Sequence, residues 1–164
     1  MGTVPEPSAD PKIPPRLGRQ KRHRIAFVCL GNSCRSQMAE AWARHLSEGR
    51  VEAMSAGVRP LGFVALETIE VMSEKGISLD GHKSKGLDAI HWRQVDVLVN
   101  MSPYAAETFA SAFTGRRLEW KVRDPFDESL DSFREVRDLL EKLVRKLLNE
   151  LQGGASTPQS PPVT

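Results

Sequence analysis

Apolar positions along this chain fall into two rhythms. Short, mostly apolar runs, Ile25 to Val28, Val51 to Ser55 and Val95 to Val99, read as strands of a buried parallel sheet. Between them the spacing changes to three and four. Met38, Trp42 and Leu46 predict a helix that opens at Ser36 or the residue before it and runs to about Glu48, with Gly49 as its stop. Ala65, Ile69 and Met72 predict a second helix over Phe63 to Lys75, closed by Gly76. Ile77 to Gly86 reads as an irregular connection and Leu87 to Trp92 as a short helix or turn. Pro103 suits the first turn of a helix reaching Phe113, and Arg117 to Val122 alternates charge with apolar groups, as an edge strand does. The strongest pattern is Leu130, Phe133, Val136, Leu140, Leu143, Leu147 and Leu151, which predicts a helix from Ser129 to Gln152. Strand and helix alternate throughout, so the expected fold class is α/β, a three-layer sandwich around a four-stranded parallel sheet.

Composition changes little in this picture. A chain of 164 residues, 40 % hydrophobic and 27 % charged, suits one domain with a sizeable core. Residues 1–20 hold five prolines and residues 153–164 are rich in Ser and Pro, so both are expected to be disordered tails around a domain at 21–152. Net charge is only +2, and the basic run Arg16, Arg19, Lys21, Arg22 and Arg24 has no aromatic interleaving, so no nucleic-acid partner is expected. No apolar run is long enough for a membrane, and no apolar stretch near the start suggests a secretory signal. Two cysteines five positions apart do not make a disulfide framework; a cytoplasmic, reducing setting fits them.

The candidate chemistry lies where the first strand meets the first helix. Gly31 and Asn32 both accept left-handed backbone, so the loop can curl. The N–H groups of a curled loop and of a helix start converge on one point, and Arg35 adds a planar fork of donors suited to two phosphate oxygens. Cys29 stands at the floor of this cradle, where those groups and the helix dipole favour a thiolate, and the Ser36 hydroxyl can donate to its sulfur. The glycine spacing and lysine of a nucleotide-binding loop are missing. Asp124-Pro125-Phe126 follows the last strand; proline holds Asp124 extended at the end of the sheet where catalytic groups gather. Asp-Pro is also a common turn, but beside the cradle Asp124 reads as the general acid.

The run Val28-Cys29-Leu30-Gly31-Asn32-Ser33-Cys34-Arg35-Ser36 resembles the signature of low-molecular-weight protein tyrosine phosphatases, and equally that of the arsenate reductases sharing their fold. The resemblance extends from about Arg24 to about Gln152 and includes Ser55-Ala56-Gly57, the Gly76-Ile77 turn and Asp124-Pro125-Phe126. It implies a phosphotyrosine phosphatase I-like fold, with phosphate held on the N–H groups of Leu30, Gly31, Asn32, Ser33, Cys34 and Arg35. It implies that Ser55 helps hold the loop, although a plain strand-end turn remains open, and that His82 is structural. It also implies that Cys34 guards Cys29 through a reversible disulfide.

The expected activity is hydrolysis of phosphate monoesters, protein phosphotyrosine or a small aryl phosphate, through a cysteinyl-phosphate. No metal or other cofactor is expected, because Arg35 and the amides balance the charge, and Cys29, Cys34 and His82 offer no four-ligand set. The alternative is arsenate reduction with an external thiol donor. The connection Val58 to Phe63 resembles the reductases, whereas no cysteine beyond Cys34 exists for an internal relay. A non-catalytic phosphate-binding module is the third reading. Phe63 and Phe126 are the candidates for an aromatic wall; Tyr104 is the sole tyrosine.

Overall fold

The computed structural model describes residues 22–153. The expected tails, 1–20 and all but the first residue of 153–164, lie outside the described residues, as do Arg16, Arg19 and Lys21. Strand β1 (His23–Cys29) is central. Its alternation sends Ile25, Phe27 and Cys29 to one face and Ala26 and Val28 to the other. Strand β2 (Val51–Gly57) pairs with it in parallel from His23 opposite Val51 to Cys29 opposite Gly57. Strand β3 (Val97–Asn100) lies on its other side, and β4 (Arg116–Glu119) beyond that, giving the order β2-β1-β3-β4 with all strands parallel. The chain therefore leaves β1 first to one side and later to the other. In open parallel sheets the crevice at such a reversal, outside the strands' C-terminal ends, is where ligands bind; here it lies at Cys29.

Helices α1 (Arg35–Ser47), α2 (Leu66–Ser73) and α3 (Leu130–Gln152) supply the main core, packed on the Ile25, Phe27, Val97 and Val99 face. The opposite layer is thin. It is built from 3-10 turns at Leu87–Ala89, Trp92–Gln94 and Ala106–Thr108 and the loops around them, which set Ile90, Val95, Ala106, Ala110 and Phe113 on Ala26, Val28 and Leu98. The seven apolar residues that define α3 all face or adjoin the main core, and Ser129 caps its start through Ser132 N–H. The three-layer α/β sandwich with four parallel strands is as expected.

Several boundaries differ. The expected helix from Pro103 to Phe113 is a single 3-10 turn at Ala106–Thr108: Asn100 draws the chain back through Ser102 N–H and the Tyr104 carbonyl, which spoils helical continuity. The helix expected over Phe63 to Lys75 is only Leu66–Ser73: Ala65 before it is extended, with φ −59° and ψ 139°, and at its end Lys75 and Gly76 N–H turn to the carbonyls three residues back. Ile69, placed by spacing on its inner face, is 40 % exposed; Thr68, Val71 and Met72 are the buried residues. Strand β4 ends at Glu119 rather than Val122. Part of the basic run has a structural use, since Arg22 and Arg24 both pair with Glu52 across β1 and β2 at 2.9 and 2.8 Å.

Helix α2 is tied to α3 by Glu74, whose carboxylate meets Arg134 at 2.8 Å and Arg137 at 2.6 Å. Hydrogen bonds from these two arginines hold its carboxyl down to about 2. A depressed carboxyl stabilises the fold above its unfolded value of 4.5 and loses that contribution as pH falls towards about 2. Glu74→Gln is therefore expected to lower the melting temperature at neutral pH, with a deficit that shrinks on acidification; a deficit independent of pH would show packing loss instead. A second expectation concerns Gly57. A Cβ there would stand 2.7 Å from Asn32 N and 2.8 Å from both Gly31 C and Leu30 O, all backbone atoms. Gly57→Ala should cost roughly 1–3 kcal/mol in thermal or urea unfolding, as overpacking does when no flexible side chain can yield.

Candidate active site

The segment joining β1 to α1 curls because its carbonyls are held outward, one after another. Cys29 O accepts from Val58 N–H at 3.0 Å and Leu30 O from Arg59 N–H at 2.7 Å. Gly31 O accepts from Leu61 N–H and from the Ser84 hydroxyl, each at 3.0 Å. Asn32 O accepts from Gln37 Nε2 at 3.2 Å. Ser33 O accepts from the Thr68 hydroxyl at 2.9 Å and Ala65 N–H at 3.2 Å. In a trans peptide the N–H points opposite to the C=O. Five anchored carbonyls thus turn the N–H groups of residues 30–34 inward. No side chain caps α1, so its first N–H groups add to the same concavity.

Asn32 is the hub beneath the loop. It is fully buried, and its φ of 49° is left-handed. Its amide nitrogen donates to Ser36 Oγ at 2.7 Å and Ser55 Oγ at 2.9 Å, and its amide oxygen accepts from Gln37 Nε2 and Lys85 N–H. Every hydrogen-bonding position of the side chain is used, which secures a backbone conformation costly for a residue other than glycine. Because Ser36 Oγ accepts from Asn32, its own hydrogen is available to Cys29 Sγ, 2.9 Å away. Ser55 thus supports the loop through Asn32. His82 stands one step further back: its Nδ1 lies 3.0 Å from Gln37 Oε1 and 3.2 Å from the buried Glu40 carboxylate. Burial holds His82 below the ordinary histidine value, against the pull of Glu40.

Cys29, Leu30, Gly31, Ser33, Cys34, Arg35, Arg59, Leu61, Asp124 and Phe126 line one cavity of about 230 Å³. Arg35 is buried, and its Nη1 is fixed by the carbonyls of Met101 and Val122 at 2.9 and 3.0 Å. Its Nη2 lies 3.5 Å from Asp124 Oδ2, while Nε is buried without a partner among the described residues. Asp124 Oδ1 accepts from Phe126 N–H at 3.1 Å, and the turn closes with Glu128 N–H on Pro125 O. Burial pushes the Cys34 thiol up to about 12, with Thr68 and Ser33 opposing and Asp124 and Cys29 adding to the rise. Of the two candidates for an aromatic wall, Phe126 lines the cavity; Phe63 does not and is 53 % exposed.

Gln37, Thr68, Ser84 and Arg59 were not singled out by sequence reading. Gln37 had a signal: Arg35, Ser36, Gln37 and Glu40 crowd polar groups into the first turns of a helix that must face a core. For Thr68 and Ser84 none existed, because each meets the loop across more than thirty residues of chain.

The family model described as low molecular weight phosphotyrosine protein phosphatase matches residues 24–156. Arsenate reductase 2 of Staphylococcus saprophyticus is 35 % identical over 123 residues, covering 74 % of this chain and 93 % of that protein. The protein-arginine-phosphatase of Bacillus subtilis is 34 % identical over 145 residues, covering 78 % of this chain and 96 % of its own. A solved arsenate reductase in the phosphate-binding state superposes with a TM-score of 0.72 at 30 % identity, over 78 % of this chain and 98 % of that one. With this match spanning the strand, the cradle and the Asp124 turn, the chain belongs to the low molecular weight phosphotyrosine protein phosphatase family, whose members include both phosphatases and arsenate reductases.

Proposed function

We propose that the protein is a cysteine-dependent phosphatase acting on phosphate monoesters, with residues 21–152 as its catalytic domain. The observation that carries this reading is one cavity lined together by Cys29, the loop residues Leu30, Gly31, Ser33 and Cys34, Arg35 and Asp124. Loop N–H groups turned inward beside a fixed guanidinium suit a tetrahedral oxyanion next to the thiol. In the proposed reaction the Cys29 thiolate attacks phosphorus in line as the bond to the leaving oxygen breaks. Protonated Asp124 delivers its proton to that oxygen. A water molecule then attacks the cysteinyl-phosphate, Asp124 takes its proton, and phosphate leaves with the thiolate restored. Ser36 hydrogen-bonds the sulfur throughout. Protein phosphotyrosine is the preferred substrate, its ring entering past Leu61 and Phe126. Cys34 acts as a resolving thiol. Hydrogen peroxide oxidises the Cys29 thiolate to a sulfenic acid and is itself reduced to water; Cys34 Sγ then attacks that sulfur, giving up its proton, and the disulfide forms with loss of water.

A second reading, arsenate reduction, is favoured by the relatives that bear that name. Arsenate matches phosphate in shape and charge, and Cys29 would form the arsenic adduct. With both cysteines of the sequence in this loop, an external thiol, from glutaredoxin, thioredoxin or a small molecule, would complete the two-electron reduction to arsenite. The apolar side chains Leu30, Leu61 and Phe126 that line the cavity beside Arg59 favour the phosphatase, since free arsenate carries no organic group to place against them.

Assays of para-nitrophenyl phosphate and of arsenate with each thiol donor, run side by side with chelator present, test the choice. Aryl phosphate turnover that is lost in Cys29→Ser, while phosphate binding persists, is the expected result; turnover surviving in Cys29→Ser would exclude Cys29 as nucleophile. For Asp124→Asn, hydrolysis of phenyl or alkyl phosphates should slow by about 10²–10⁴. A substrate with a very acidic leaving group should show a burst and then slow turnover, with cysteinyl-phosphate trapped by acid quench. Equal slowing for good and poor leaving groups would give Asp124 a structural role.

A further inference from the structure

We propose that Thr68, on α2 and outside the cavity, is a positioning residue that sets the affinity of the cradle for its anion by orienting the Ser33–Cys34 peptide. The inference rests on the reading of the loop as an oxyanion site. Thr68 is fully buried, although it is polar and lies on a helix whose other buried residues, Val71 and Met72, pack into the core. Its hydroxyl donates to Ser33 O at 2.9 Å, and Ala65 N–H reaches the same oxygen at 3.2 Å. Both donors come from the start of α2, so this carbonyl is drawn onto the helix. The peptide is trans, and the Cys34 N–H at its other edge is thereby aimed at the anion.

This peptide has special need of restraint. The preceding residue but one, Asn32, is left-handed, and Cys34 takes φ −128° and ψ −84° immediately before α1, outside the common basins. The Ser33–Cys34 peptide ends at a residue outside the regular basins, so the partners of its carbonyl help to fix its orientation. The Ala65 bond is the longer of the two and by itself leaves one lone pair of Ser33 O unused. The Thr68 hydroxyl also opposes the rise of the neighbouring Cys34 thiol, in accord with its place beside this peptide. Its other neighbours are core side chains, and a valine matches its shape without the hydroxyl.

The test compares wild type, Thr68→Val and Thr68→Ser for competitive inhibition by inorganic phosphate, KM and kcat on para-nitrophenyl phosphate, and melting temperature. Thr68→Val should raise the phosphate inhibition constant and KM together, by about five- to thirtyfold for one buried hydrogen bond, with kcat changing far less. Thr68→Ser, which keeps the hydroxyl, should restore both. Should Thr68→Val not fold, Thr68→Ala carries the same comparison. Phosphate binding equally well to Thr68→Val and wild type would overturn the proposal, as would a Thr68→Ser variant as weak as Thr68→Val, because packing would then be the cause. A wild-type protein that neither hydrolyses the ester nor is inhibited by phosphate would remove the oxyanion reading itself, an outcome distinct from either.

Discussion

The planarity of the trans peptide is the constraint on which the site depends. A loop cannot turn five N–H groups toward one point unless the five carbonyls across those planes find partners on the outside. Here the partners come from every element around the loop: the extension of β2 at Val58, Arg59 and Leu61, the α2 start at Ala65 and Thr68, α1 at Gln37, and the 80s connection at Ser84. The surrounding fold can be described as a set of donors placed at the right radius. This explains why Gly57 meets loop backbone at contact distance: the β2 extension must approach closely enough for its N–H groups to reach.

The same logic accounts for the polar interior of α1. Arg35, Ser36, Gln37 and Glu40 are all buried, as are Asn32 and Ser55. Burying such groups without partners would cost several kcal/mol, about 1–3 for each unmet hydrogen bond. They are instead linked in one chain from Cys29 Sγ through Ser36, Asn32 and Gln37 to His82 and Glu40. Arg35, outside that chain, donates to the carbonyls of Met101 and Val122, while Arg35 Nε, Ser33 Oγ and Ser47 Oγ are buried without hydrogen-bond partners among the described residues. Stiffness comes from further out, where Glu74 joins α2 to Arg134 and Arg137 of α3. Helix α2 anchors the Ser33 carbonyl, so the long helix braces the loop at one remove.

Much of this was legible in the chain. Local patterns are self-contained: three largely apolar runs, the alternation from Arg117 and the α3 spacing need only near neighbours to declare themselves, so the strands and the long helix could be read from sequence. Cys29, Arg35 and Ser36 lie within eight residues, and their chemistry follows from their types and from the strand–loop–helix grammar around them. Asp124 could be read because proline marks it and the loop makes a site expected at the sheet's end. What the sequence did not determine is which partner each carbonyl takes. Thr68 and Ser84 look ordinary in one dimension, and their importance arises from contacts between segments that only the packed sheet brings together. The failed helix after Pro103 has the same origin: its spacing was acceptable, but Asn100, at the end of β3, captures the following turn. Local propensity specified the elements by itself; the tertiary structure decided the direction of each N–H, because a peptide plane is oriented by whatever stands opposite its carbonyl.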